Sequence, residues 1–197
     1  MTITTFLNSR NLYGFEGHSQ LCQPQVDDLI DLVNDQNIKN VMEIGFNAGH
    51  SAEIFLQNNK NVTLTSFDIG LHNYVSTAKE YIDNTYPKRH MLILGNSVET
   101  IPSYYKNNKD IKFDLIFIDG GHDYTTAKED MENCFHLAHE DTIVVLDDTM
   151  FTEGWEQHYT IGPTRTWKEH LEQDKIIELA RKDYSPGHGM TWGKYKF

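Results

Sequence analysis

An α/β fold with a mostly parallel sheet is predicted by three features of this 197-residue sequence. From residue 40 onward, short apolar runs alternate with longer amphipathic stretches, the pattern of strand and helix units that build a parallel sheet. The short runs are rich in Val, Ile, Leu and Phe, the composition of buried strands. After residue 148 the rhythm changes to two extended stretches joined by turn chemistry, which predicts a closing antiparallel hairpin and seven strands in all.

Taken in order, residues 24–33 read as a helix with Pro24 in its first turn. Strands are predicted over 40–45, 63–69, 90–96, 113–119 and 142–147, and the segments between them read as helices. The clearest helix is 123–138, where Ala127, Met131, Phe135 and Ala138 share one face and Asp123 is available as N-cap. The segment 97–106 is helical in pattern but interrupted by Pro102. A further helix is expected over 164–173, followed by strands 176–184 and 190–195 around Ser185-Pro186-Gly187-His188-Gly189. No repeat, low-complexity tract or linker divides the chain, so one domain over 1–197 is expected. Within it, 1–39 forms an N-terminal helical or lid segment, 40–148 the core, and 149–197 a substrate loop and the hairpin.

Composition narrows the function. The sequence is 39% hydrophobic and 12% aromatic, which is globular, and no apolar run approaches the length needed to span a bilayer. The amino terminus lacks the basic start, apolar core and cleavage site of a signal peptide, so a cytoplasmic protein is expected. Cys22 and Cys134 lie far apart and form no Cys-x-x-Cys pair, so reduced thiols are expected. A formal charge of -12 with only 17 scattered Lys and Arg argues against nucleic acid as a partner. Self-association into a homo-oligomer is left open.

The segment Glu43-Ile44-Gly45-Phe46-Asn47-Ala48-Gly49-His50-Ser51 ends a strand, turns on glycines and opens a helix. Ligands of open parallel sheets bind at such carboxyl ends. Gly45 would let the backbone pass close to a ligand, and Ser51 with the free amides of the helix start could meet a polar group. A dinucleotide fingerprint would require glycines where Asn47 and His50 stand, so pyrophosphate binding is disfavoured. The second strand ends in Asp68, a carboxylate able to accept both hydroxyl hydrogens of a ribose.

Glu43-Ile-Gly-x-x-x-Gly followed by Asp68 resembles the first two motifs of class I S-adenosylmethionine-dependent methyltransferases, and the resemblance covers most of the chain. It implies a Rossmann-like class I methyltransferase fold with helices on both faces of the sheet. It also implies that Glu43, Gly45, Asn47 and Ser51 surround the methionine part of the cofactor and that Asp68 holds the ribose. Gly95-Asn96-Ser97 fits the family's third-strand motif, with Ser97 as the adenine contact and Val98 and Ile101 as apolar packing.

Asp119 emerges where the fourth strand meets a glycine turn, and the fifth strand ends in Asp147-Asp148. Neighbouring parallel strands would bring these three carboxylates together, and they would need a compensating cation. Oxygen ligation favours magnesium, with calcium or manganese as alternatives. The bland reading is that Asp119 touches only cofactor while Asp147 and Asp148 cap a loop. The spacing resembles that of catechol and antibiotic-sugar O-methyltransferases, where the three acids bind magnesium. The run Asp-Gly-x-His-x-Tyr is similar to a broad family of small class I methyltransferases. His122, three residues after Asp119, occupies a step where some sugar enzymes place a general base. The bland reading of His122 is a carboxylate partner or helix cap. His18 and His50 lack spaced partners.

These residues together imply metal-assisted O-methylation of a small hydroxyl-bearing acceptor, with Asp119 and His122 at the reacting centre. Phe151, Trp155, His158, Tyr159 and Trp167 make the loop after the fifth strand aromatic, which suggests a flat or sugar-like acceptor, although aromatics so spaced are more often packing. A metal-independent methyltransferase of the same fold and a non-catalytic cofactor-binding protein are the alternatives.

Overall fold

The computed structural model describes residues 1–17 and 19–197, with the backbone alone at Ser19; His18 lies outside the described residues. One sheet of seven strands organises the chain: β1 (Asn40–Ile44), β2 (Thr63–Asp68), β3 (His90–Leu94), β4 (Phe113–Ile118), β5 (Ala138–Asp147), β6 (Ile176–Ser185) and β7 (His188–Tyr195). Their order across the sheet is β3-β2-β1-β4-β5-β7-β6. The first five are parallel and β7 runs antiparallel between β5 and β6. This is the predicted Rossmann-like class I methyltransferase sheet with its closing hairpin. Pro186 and Gly187 alone join the two hairpin strands, with Gly187 at φ +79°, a conformation that favours glycine.

Helices cover both faces: α1 (Ile3–Ser9), α2 (Gln23–Val33), α3 (His50–Asn58), α4 (Val75–Thr85), α5 (Ser97–Asn107), α6 (Tyr124–Phe135) and α7 (Ile161–Glu172). Side chains alternate across a strand, and the two faces therefore collect different residues. Val41, Leu64, Leu115, Phe117 and Val145 pack with α1 to α4. Met42, Phe67, Ile116, Ile118 and Val144 pack with α5 to α7. Burial on both sides explains why the strands read as continuous apolar runs.

Three local expectations are revised. Helix α6 begins on the Asp123 cap, whose side chain accepts from the Thr126 amide at 3.0 Å, but it ends at Phe135. Ala138 is buried as predicted, in a strand instead of a helix: it pairs with Phe113, and the ladder then shifts register before Leu115 meets Ile143. Helix α5 runs through Pro102 without breaking. Helix α1 falls within the helical or lid segment expected over 1–39, for which no bounds were predicted before residue 24. It is capped by Thr2 and held by Glu53, which accepts from the Ile3 amide at 2.9 Å and from the Tyr81 hydroxyl at 2.7 Å.

The order of strands reverses between β1 and β4, the switch point at which the carboxyl ends of neighbouring strands diverge and leave a crevice. Among the described residues no helix is long and apolar enough to cross a membrane.

Candidate active site

The crevice is a cavity of about 390 Å³ at the carboxyl ends of β1, β2, β3 and β4, within the range of small-molecule sites. Gly45, Asn47, Asp68, Ser97, Asp119 and His122 all line it. Most of the residues singled out from sequence therefore meet in one place although they span most of the sheet.

Glu43 lies beneath the glycine turn, fully buried. Its carboxylate accepts from the hydroxyls of Ser51 and of Ser66, the latter at 2.6 Å, and Ser66 is its register partner on β2. Burial still pushes its pKa up to about 7, against the pull of both hydroxyls. Ser51 is thus bonded inward to Glu43. Gly45 adopts φ +94°, and a Cβ there would lie 1.8 Å from the Asp119 carbonyl oxygen. The glycine is required by the close approach of β4, a reason different from the ligand approach expected, although it also lines the cavity.

Asn47 sits at φ +50°, and its amide donates to Asp68 Oδ2 at 2.7 Å; the Gly70 amide donates to Oδ1 at 2.7 Å. Each Asp68 oxygen thus takes one backbone N–H and keeps a lone pair for a further donor. Asn47 Oδ1 is buried without a partner among the described residues, an acceptor beside the cavity. Ser97 opens α5 just after Asn96, whose side chain accepts from the Val98 amide at 3.3 Å. A backbone crevice, a carboxylate with free lone pairs and a buried amide oxygen fit a nucleoside with a polar amino-acid tail.

At the other end of the cavity stand the acids. Asp119, His122 and Asp148 place one ligand atom each within 4.8 Å of one another, a spacing that one ion at roughly 2.0–2.6 Å from each would close. His122 Nε2 lies 2.8 Å from Asp148 Oδ2 and 3.9 Å from Asp119 Oδ1. The two carboxylates, Asp119 and Asp148, push the imidazole pKa up to about 10; by distance Asp148 is the bonded partner and Asp119 the electrostatic neighbour. Burial raises Asp119 to about 6, opposed by His122 and reinforced by Asp148. Asp148 holds φ +54°, uncommon for a residue with a side chain.

Asp147 is the one expected acid outside this group. Its carboxylate faces α2, where Gln25 Nε2 donates to Oδ1 at 2.7 Å and to Oδ2 at 2.8 Å. Both residues are buried, and burial holds the Asp147 pKa well above its ordinary value, with Asp119 and Asp148 adding to the shift.

Gln25, Ser66 and Tyr159 complete the surroundings. The Tyr159 ring is 5.8 Å from the His122 ring. Neither Ser66 nor Gln25 carries a local signal, since β2 reads Thr-Leu-Thr-Ser-Phe-Asp and Ser66 is one of several polar residues in it. Of the other aromatics, Trp167 is wholly buried, with its Nε1 donating to Glu178 at 2.6 Å, and Phe151 lies against the Arg181 guanidinium at 3.8 Å, while His158 is exposed beside Tyr159. His50 is buried too, its Nε2 2.9 Å from the Thr4 hydroxyl. Cys22 and Cys134 are free and buried.

A family model described as a methyltransferase domain matches residues 42–149, more than half of the chain. No curated protein gives a significant sequence match. Many solved structures share the fold. An O-methyltransferase from Bacillus cereus in complex with S-adenosylhomocysteine superposes with a TM-score of 0.77 at 19% identity, covering 98% of this chain and 89% of its own. An O-methyltransferase of tomaymycin synthesis from Streptomyces achromogenes, in complex with S-adenosylmethionine, gives 0.76 at 14% identity, covering 99% and 88%. A Podospora anserina methyltransferase with S-adenosylhomocysteine bound gives 0.69 at 16% identity, covering 98% and 84%. With the match over both glycine turn and acid-bearing strand ends, the chain belongs to the methyltransferase-domain family and is a class I, S-adenosylmethionine-dependent methyltransferase.

Proposed function

We propose that the protein transfers the methyl group of S-adenosylmethionine to a hydroxyl oxygen of a small acceptor, with a divalent cation, magnesium first, at Asp119 and Asp148. The observation that carries this reading is the convergence of Asp119, His122 and Asp148 at one end of the cavity that Gly45, Asp68 and Ser97 line. That two fold relatives are named O-methyltransferases supports the choice of oxygen. Glu43, Gly45, Asn47 and Ser51 would shape the methionine end, with Glu43 and Ser51 acting from beneath the turn. Asp68 would accept from the ribose hydroxyls, and Ser97 would meet the adenine. Asp147 would join the cation's ligands only by leaving Gln25.

His122 takes the acceptor's hydroxyl proton, the oxygen forms a bond to the sulfonium methyl carbon as the carbon–sulfur bond breaks, and S-adenosylhomocysteine leaves. A bound cation would raise the acidity of the hydroxyl and draw on the carboxylate charge that otherwise holds a proton on His122. Calorimetry with S-adenosylhomocysteine, with and without magnesium and with oxidised nicotinamide dinucleotide as control, tests the reading. Micromolar binding of the first ligand alone is expected, with magnesium binding abolished in Asp119→Ala and Asp148→Ala. Binding of neither S-adenosylhomocysteine nor magnesium by the parent protein defeats it.

The 2.8 Å pair of His122 and Asp148 favours one second reading, a metal-independent site in which the pair orients the acceptor. Methyl transfer that survives exhaustive chelation would select it.

A further inference from the structure

Gln25 is buried in the first turn of α2, far in sequence from the acids at the strand ends. Its Nε2 donates to both oxygens of Asp147, at 2.7 and 2.8 Å, and the Asp148 amide donates to Asp147 Oδ1 at 2.9 Å. Oδ1 therefore has both lone pairs engaged and Oδ2 one of its two. The clasp is held from outside as well. Three residues along α2, Asp28 accepts from the Tyr184 hydroxyl and from Lys182 Nζ, each at 2.6 Å, so the turn that carries Gln25 is tied to the hairpin strand β6.

A monodentate carboxylate ligand turns one oxygen to the ion and gives the other to a hydrogen-bond donor. Asp147 gives both to Gln25, whereas Asp148, its neighbour in sequence, turns at φ +54° toward His122 and Asp119. Resting on the reading of Asp119 and Asp148 as the cation's carboxylates, we infer that Gln25 is a positioning residue that withholds Asp147 from the ion. The ion then meets two carboxylates, whose charge balances that of a divalent cation. A coordination place that a third carboxylate would fill stays free for an oxygen of the acceptor. The sequence offers three acids at these strand ends, and one side-chain amide from α2 reduces them to two.

The experiment titrates the full chain with manganese(II) alone in the parent, Q25A, D147N, Q25A/D147N and D148N. Affinity is read by electron paramagnetic resonance and the water retained on the ion by proton relaxation. Q25A frees Asp147 and should bind the ion about tenfold more tightly, with less retained water. That gain should vanish in Q25A/D147N, because it runs through Asp147. D147N alone should stay within about threefold of the parent, while D148N should lose at least about tenfold. If Gln25 instead orients a ligating Asp147, Q25A weakens binding and D147N loses as much as D148N, and either result overturns the inference. A Q25A that melts lower yet keeps the parent's affinity and retained water overturns it too. Should Q25A not fold, D147N against D148N decides, since D147N leaves Gln25 in place. A parent that binds no manganese overturns the cation reading, and this inference with it.

Discussion

Replacing Asp68 by alanine separates the support that its carboxylate gives the fold from the grip it gives a ligand. In the folded chain the carboxylate holds the amides of Asn47 and Gly70, each at 2.7 Å. Both amides border an open cavity and can turn to water, so only the net value of two hydrogen bonds is lost, about 1–3 kcal/mol. For a chain of this length that corresponds to a fall in melting temperature of roughly 2–12 °C. Ligand binding loses more. Two ribose hydroxyls donating to an ionised carboxylate contribute about 3–4 kcal/mol together. At about 1.4 kcal/mol per decade, affinity should fall roughly 100- to 1,000-fold. Asp68→Asn retains one acceptor oxygen and should fall between parent and alanine variant. The assay is calorimetric titration with S-adenosylhomocysteine, run on protein shown to be folded by its melting curve. An alanine variant that is folded and binds within threefold of the parent refutes the reasoning, since the carboxylate would then serve only the two amides.

Glu43→Gln tests a pH dependence. Glu43 titrates near 4.5 when unfolded and at about 7 in the folded chain, so the native state binds the proton more tightly. Its contribution is therefore largest below pH 4.5 and is lost as pH rises to about 7, a difference of up to roughly 3 kcal/mol. The uncharged glutamine should gain on the parent between pH 5 and 8 in urea unfolding; a constant gap over that range contradicts the burial argument. Gly45→Ala would set a methyl 1.8 Å from the Asp119 carbonyl oxygen and should unfold the chain or separate β1 from β4, read as loss of both soluble yield and ligand binding. Near-parental melting would show that the two strands can part cheaply. Glu53→Ala leaves the Ile3 amide without its acceptor and the Tyr81 hydroxyl with the Met1 carbonyl alone, at 2.6 Å, and should cost about 1–3 kcal/mol. Limited proteolysis should then cut within residues 1–12 first, and unaltered cleavage would place the anchor of α1 elsewhere.

Much of this site was legible because its residues stand at strand ends. Asp68, Asp119 and Asp147 each close or follow an apolar run, and parallel pairing carries such positions to one edge. The alternation of strand and helix was equally plain, since burial on both sheet faces leaves little room for polar residues. What escaped reading depends on direction and distance. Asp147 and Asp148 are adjacent in sequence, yet the left-handed backbone at Asp148 lets its side chain meet His122 while Asp147 faces Gln25. No spacing rule reports which of two neighbouring carboxylates turns inward. The bounds of helix α1, within the segment 1–39 expected to be helical or a lid, escaped because its anchor, Glu53, lies on α3. Ala138 was misplaced because burial at helical spacing and burial in a strand look alike over a few residues.

The contact between Gln25 and Asp147 closes a loop of 122 residues, and that between Tyr184 and Asp28 a loop of 156. Such closures pay their entropy before any local contact rewards them, so they form with the last cooperative step of folding. The acid-bearing edge of the sheet is therefore never present in a half-made chain. In a refolding experiment ligand competence should arrive together with the global phase and never ahead of it, and a nascent polypeptide that has displayed only its first hundred residues has no reactive centre to expose.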